Sequence, residues 1–216
     1  MAVRADGAAP VARVVVVSHL AAVVILGAVV LPGTGDMHES VMTHWARWWR
    51  HRWMSERAAE RAVPPAMAQQ IQRRVSASEA RHSGEIAVCV EAALPHRYLW
   101  RAGREAPASV VIRERALSWF GKLRVWDTEH NNGVLVYLLL AERRVEIVAD
   151  RGISQRVPDA HWQAVVQRLG EHLHKGDFDS GLTQALEEVS ALLVQHFPLQ
   201  PGQTNPNELC NLVVWA

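Results

Sequence analysis

Residues 124–153 read RVWDTEHNNGVLVYLLLAERRVEIVADRGI, and this stretch decides the fold. Asn131-Asn132-Gly133 is a strong turn signal, because Asn and Gly tolerate the left-handed backbone that turns demand. The run that follows, VLVYLLL over 134–140, is apolar almost without a break. A half-exposed strand alternates, whereas an unbroken apolar run of this length fits a central strand covered on both faces. Ala141-Glu142-Arg143 makes a short turn, and RVEIVA over 144–149 alternates as the next strand. The two strands read as a hairpin.

Working outward, EIAVCVEAA over 85–93 predicts another strand. Ile86, Val88 and Val90 fall on one face, and Ala87 and Cys89 on the other suggest burial on both sides. Residues 96–106 read as a loop, and 110–121 as a helix with Val110, Leu117 and Phe120 inward. Pro64-Pro65 opens an earlier amphipathic helix in which Met67, Ile71, Val75 and Ser78 recur at helical spacing. It ends before Gly84, which reads as its C-cap. On the C-terminal side, Trp162, Val165, Val166, Leu169 and Leu173 form one stripe. Phe178, Leu182, Ala185, Leu186, Val189, Leu192 and Leu193 form a second, which Pro198 stops. The strand–helix–strand unit implies a right-handed parallel crossover, to which the hairpin adds an antiparallel partner. The expected fold class is α/β: a small mixed β-sheet with helices on both faces, over residues 64–197.

Three segments lie outside that unit. Within 1–41, the stretch VVVVSHLAAVVILGAVVL over 14–31 carries no charge. It reaches the lower length limit of about 17–25 residues for a transmembrane helix. It also reads as a signal peptide. Translation from Met1 implies inner-membrane association. Residues 42–63 are rich in Trp and Arg. Trp45, Trp49 and Trp53 share a helical stripe among Arg47, Arg50 and Arg52, a pairing that suits a membrane interface or a stripe packed on the domain. Residues 198–216 form a Pro/Asn-rich tail with an apolar end, LVVWA.

Composition narrows the chemistry. Lys+Arg (23) and Asp+Glu (22) nearly cancel over 216 residues, so no basic footprint recommends a nucleic-acid partner. The two cysteines, Cys89 and Cys210, are far apart and form no CxxC or CxxH spacing, which leaves zinc and thioredoxin chemistry without footing. Whether they pair is left open. His82-Ser83 has no G-x-S-x-G setting for a nucleophile. The best candidates for a cluster are Asp127, Glu129, Asn131, Asp150 and Asp159. Antiparallel neighbours set the start of one strand beside the end of the next, so these groups are expected near one edge of the sheet. Carboxylates with a side-chain amide suit Ca²⁺ or Mg²⁺. The same residues also read as turn formers bonding their own backbone, with Asp150 pairing with Arg151 or Arg124.

The stretch 124–153 closely resembles the core of the TPM domain. KGDFDSGL over 175–182 is similar to that family's "GD-aromatic-x-x-G-Leu" segment. HSGEI (82–86) and NPNEL (205–209) resemble a bacterial subgroup. That subgroup begins near Met42 with Trp/Arg-rich sequence, so the resemblance implies Met37 or Met42 as an alternative start, and translation from Met42 implies a cytoplasmic protein. The family includes a thylakoid-lumen acid phosphatase and many bacterial envelope proteins of unassigned activity. The resemblance implies a metal held by several carboxylates; the candidates in this chain are Asp127, Asp150 and Asp159, with Asn131 as a side-chain amide. This chain departs from the pattern in two places. It has no Asp in Ala62-Val63-Pro64-Pro65-Ala66-Met67, and Asp150-Arg151-Gly152-Ile153-Ser154 replaces a Gly-x-Gly-x-Glu turn. The expectation is therefore a non-catalytic interaction or accessory module of bacterial envelope type. It would have a protein partner or a membrane surface, no nucleic acid, no cofactor, and at most weak Ca²⁺ or Mg²⁺. A metal-dependent acid phosphatase is the second reading.

Overall fold

The computed structural model describes residues 15–18, 47–55, 57–102, 105–200, 202, 203, 205, 209 and 213–216. The strands are β1 (Val15–Ser18), β2 (Ile86–Glu91), β3 (Val134–Leu139), β4 (Arg144–Ala149) and β5 (Val213–Trp215). They form one mixed sheet in the order β1-β4-β3-β2-β5. β2 runs parallel to β3 and to β5, while β4 is antiparallel to both β3 and β1. The apolar run at 134–140 is thus the centre of the sheet, as its two-sided hydrophobicity requires.

Helical residues 47–53 (α1) precede α2 (Arg57–Ala62), α3 (Pro65–Glu79), α4 (His96–Arg101), α5 (Ala108–Lys122), α6 (Arg151–Ser154), α7 (Asp159–His174) and α8 (Phe178–His196). Strand periodicity sorts the core into two layers. Val88, Val136, Leu138, Val145 and Ile147 face Ile71, Trp162, Leu169, Leu182 and Leu193 of α3, α7 and α8. Cys89, Leu135, Tyr137, Leu139 and Val148 face Ile112, Ala116 and Phe120 of α5.

The turn signal before β3 works by two routes. Asn131 takes a left-handed φ of 51°. Gly133 is needed for space, since a Cβ there would lie 1.9 Å from the Val125 carbonyl oxygen. In the "GD-aromatic" segment, Gly176 turns the chain with φ 79° and Asp177 caps α8 by accepting from the Ser180 N–H at 3.2 Å.

Several expectations are corrected. Residues 96–106 contain the short helix α4. Val110 and Leu117 face outward, and the inward residues of α5 are Val111, Ile112, Arg115, Ala116 and Phe120. Gly84 does not cap α3, whose C-cap is Ala80. It makes room for Leu193, whose Cδ2 lies 2.5 Å from where a Cβ would stand. The apolar end of the 198–216 segment is not tail but strand β5. A helix starting at residue 14 is replaced by edge strand β1 over Val15–Ser18. The rest of the 14–31 stretch, Trp45 and Cys210 lie outside the described residues. Cys89 is a buried free thiol, pushed up by burial and by nearby Glu91. No helix among the described residues is long and apolar enough to cross a membrane.

Candidate functional site

The six residues of β3, at about 3.3 Å each, set the two ends of the sheet roughly 20 Å apart. The residues singled out from sequence lie toward one end, where β2 and β3 begin and β4 finishes. Asp150 is buried and caps α6, its Oδ1 accepting from the Arg151 N–H at 2.7 Å. Its Oδ2 is buried without a hydrogen-bond partner among the described residues. Burial raises this carboxyl above its ordinary range, against the lowering effect of the Arg151 N–H. Asn131 sits beside it. Its Oδ1 accepts from Arg151 Nε at 3.0 Å and its carbonyl from the Gly152 N–H at 2.7 Å. Asp127 is exposed and paired with Arg124, and Asp159 is exposed in the first turn of α7. Glu129 is also exposed. Asn131 and Asp150 therefore share a neighbour in Arg151. Among the described residues no three His, Cys, Asp or Glu side chains gather so as to hold an ion.

The same end carries His82, which sequence reasoning set aside. It is fully buried, and its Nδ1 lies 3.0 Å from the Gly84 carbonyl oxygen. Burial lowers its pKa to about 4, so the ring is neutral in the folded chain. Asn132 Nδ2 donates to Ser83 Oγ at 3.2 Å, and Asn205 Nδ2 donates to the His82 carbonyl at 3.1 Å. HSGEI and the first Asn of NPNEL thus meet as structural partners.

At the opposite end, α1 is fastened to the sheet by one face. Glu142, in the 3₁₀ turn Leu140–Glu142, contacts Arg47 Nε at 2.9 Å and His51 Nε2 at 2.8 Å. The Leu94 N–H donates to His51 Nδ1 at 3.0 Å. A ring nitrogen that accepts a backbone N–H cannot carry a proton, so Nε2 is the protonated nitrogen and donates to Glu142. Burial works against the Glu142 carboxylate, but the His51 hydrogen bond and Arg47 hold its pKa below the ordinary range. At 100° per residue, Trp49 and Trp53 point away from the Arg47/His51 side. They are 47% and 78% exposed, their ring centroids 6.1 Å apart, with Arg50 and Arg52 also exposed. Of the Trp/Arg residues named from sequence, the helix displays four and uses Arg47 as an anchor.

Beneath α5, near the same end, lies a polar network that sequence reasoning missed. Glu91, the last residue of β2, accepts from Arg115 Nε at 3.0 and 2.9 Å and from Arg115 Nη2 at 2.5 Å. It also accepts from Trp119 Nε1 at 3.1 Å and from the Tyr137 hydroxyl at 2.5 Å. Arg115 stacks over the Tyr98 and Trp119 rings. Burial, then the charge of Glu91, pushes the Tyr137 hydroxyl well up. A cavity of about 450 Å³ opens here, lined by Trp48, His51, Glu91, His96 and Arg115 among others. It lies outside the carboxyl ends of β2 and β5. The sequence signal available was a glutamate closing a two-sided apolar strand.

A mixed sheet flanked by α3, α7 and α8 on one face and α5 on the other defines an α/β domain of hairpin-and-crossover type. A family model described as "TPM domain" matches residues 59–192. The chain belongs to the TPM-domain family. Among solved structures it is similar to the NMR structure of the BA42 protein from the psychrophilic bacterium Bizionia argentinensis. The TM-score is 0.58 at 24% identity, covering 70% of this chain and 94% of that one. That likeness concerns the fold. Comparison with curated proteins finds no match.

Proposed function

We propose that this TPM-domain protein is a non-catalytic interaction module that docks on an anionic membrane surface through α1. One observation carries the reading. The helix is anchored by Arg47 and His51, and its opposite side presents Trp49 and Trp53 beside Arg50 and Arg52. Indole rings favour the headgroup region, and guanidinium groups meet lipid phosphates there. A helix fixed by one face and displaying aromatic and cationic groups on the other suits an interface better than a solvated surface, where exposed tryptophans gain nothing. Co-sedimentation of the full chain with vesicles containing about one third anionic lipid tests it. Binding is expected to fall with salt, because screening weakens the Arg contribution. The double variant Trp49→Ala/Trp53→Ala should weaken binding by about tenfold or more, since each indole buries large apolar area. Binding unchanged by that variant would refute the reading.

A metal-dependent phosphatase is kept as a second reading on the strength of Asp150, whose buried Oδ2 lacks a hydrogen-bond partner among the described residues. A thermal melt with and without roughly millimolar Ca²⁺ or Mg²⁺, paired with hydrolysis of an aryl phosphate, separates the two. The interaction-module reading expects at most a small ion-dependent shift and no turnover. Turnover that requires the ion and disappears in Asp150→Asn would favour the phosphatase.

A further inference from the structure

The hairpin end of the sheet contains a second cavity, of about 370 Å³, between the link after α1, the β3–β4 turn and the junction of α7 with α8. We propose that it takes the acyl chain of an anionic, phosphate-headed lipid.

Its walls are apolar. Met54, Leu138, Leu140, Val145, Leu173 and Phe178 line it. Met54, Leu140, Leu173 and Phe178 pack on the main core yet remain only partly buried. A closed core would have covered them, because each exposed apolar side chain forgoes burial energy of about 1.5–3 kcal/mol.

The glycines give an independent observation. Gly170 and Gly176 both line the cavity, and a Cβ at either would meet nothing within 4 Å. Gly176 has a reason to be glycine in its φ of 79°. Gly170 has none of that kind. It lies inside α7, where glycine costs about 1 kcal/mol relative to alanine. It differs from Gly181, where a Cβ would come within 2.7 Å of His172 Cβ. Gly170 therefore serves neither backbone geometry nor close packing. Its effect is to leave one wall of the cavity open.

The lining is also one-sided in charge. Arg143, Arg144 and His174 are its ionisable members, and no acidic side chain lines it among the described residues. An apolar interior with a guanidinium-bearing lining matches a single acyl chain ending in a phosphate, which arginine recognises through charge-assisted hydrogen bonds. Met54 directly follows the exposed Trp53, so the cavity lies at the end of the domain that α1 would bring to a membrane. The proposal rests on the interfacial reading only for how the lipid arrives. Occupancy of the cavity does not require it.

The experiment is calorimetric titration of the full chain with a short-chain lysophosphatidylglycerol kept below its micelle concentration. Saturable one-site binding is expected. Gly170→Leu, which fills the open wall with a better helix former, should melt no lower than the parent chain and bind about tenfold or more weakly. Arg143→Glu should weaken binding, as should exchange of the probe for the zwitterionic lysophosphatidylcholine. Trp49→Ala/Trp53→Ala should retain lysolipid binding while losing vesicle binding, which separates the cavity from the α1 surface. Lysolipid binding with no vesicle binding by the parent chain would sink the membrane-docking reading and leave the cavity assignment standing. No saturable binding by the parent chain, or equal binding by Gly170→Leu, would overturn the cavity assignment.

Discussion

Replacing Arg115 with methionine should lower the free energy of unfolding by about 3–5 kcal/mol, the cost of leaving a buried charge without its partner. The side chains of Arg115 and Glu91 are only 5% and 2% exposed. The pair is therefore shielded from the solvent screening that makes surface ion pairs weak. After the substitution Glu91 would keep its hydrogen bonds from Tyr137 and Trp119 and lose the only cation that bonds it among the described residues. The effect should be largely reversed by adding Glu91→Gln, because a neutral amide in that place no longer demands a counter-charge. Urea denaturation of the parent, the single variants and the double variant gives the coupling energy directly. A loss below about 1 kcal/mol for Arg115→Met, or strict additivity in the double variant, would show that the network does not hold α5 to the sheet in the way described.

The second large effect concerns Glu146, which points from β4 into the layer beneath α5. It is fully buried, and neither carboxylate oxygen has a hydrogen-bond partner among the described residues. Burial raises its pKa from 4.5 to about 8, with Arg113 and Arg144 opposing the rise. Between those two values the unfolded chain has released the proton and the folded chain has kept it. The folded state then binds more protons, so this residue makes stability fall as pH rises through that window, and its effect is absent below it. Glu146→Gln removes the titration. The variant should match the parent at about pH 4.5 and exceed it by about 2–4 kcal/mol at about pH 8. His82 titrates in the opposite sense, because its pKa is lowered to about 4 and its neutral form is the folded one. Its contribution is lost as pH falls from about 6.5 and is common to both proteins, so the difference between them isolates Glu146. Parallel stability curves for parent and variant would contradict the assignment.

The fold was legible because its centre obeys simple periodicity. An Asn-Asn-Gly turn, an unbroken apolar strand, and an alternating strand after a three-residue turn define a hairpin within thirty residues. The edges were not legible for a physical reason. Strands β1 and β5 contribute only four and three residues, and a short apolar segment carries no period that separates strand from helix or tail. Burial of Glu146 was hidden because an alternating strand with a glutamate at a polar position looks half-exposed. Only the tertiary packing of α5 covers that face. Glu91 and Arg115 were missed for the same reason, since no local pattern says that two charges 24 residues apart will meet. Among the site candidates, the sequence identified the Trp/Arg helix but not which side of it faces outward. That depends on His51 reaching both Glu142 and the Leu94 N–H. The expected carboxylate cluster depended on loops, whose side-chain directions the sequence does not encode.

On the proposed function, the working surface is the α1 and hairpin end of the domain, not the end bearing Asp127, Asn131, Asp150 and Asp159. Hydrogen–deuterium exchange of the full chain, with and without anionic vesicles, tests it most directly. Vesicle-dependent protection is expected over residues 47–54 and the hairpin turn at 140–144, with the loops at 127–132 and 150–159 unchanged. Protection confined to those loops, or no protection at 47–54 under conditions where the protein is vesicle-bound, would contradict it.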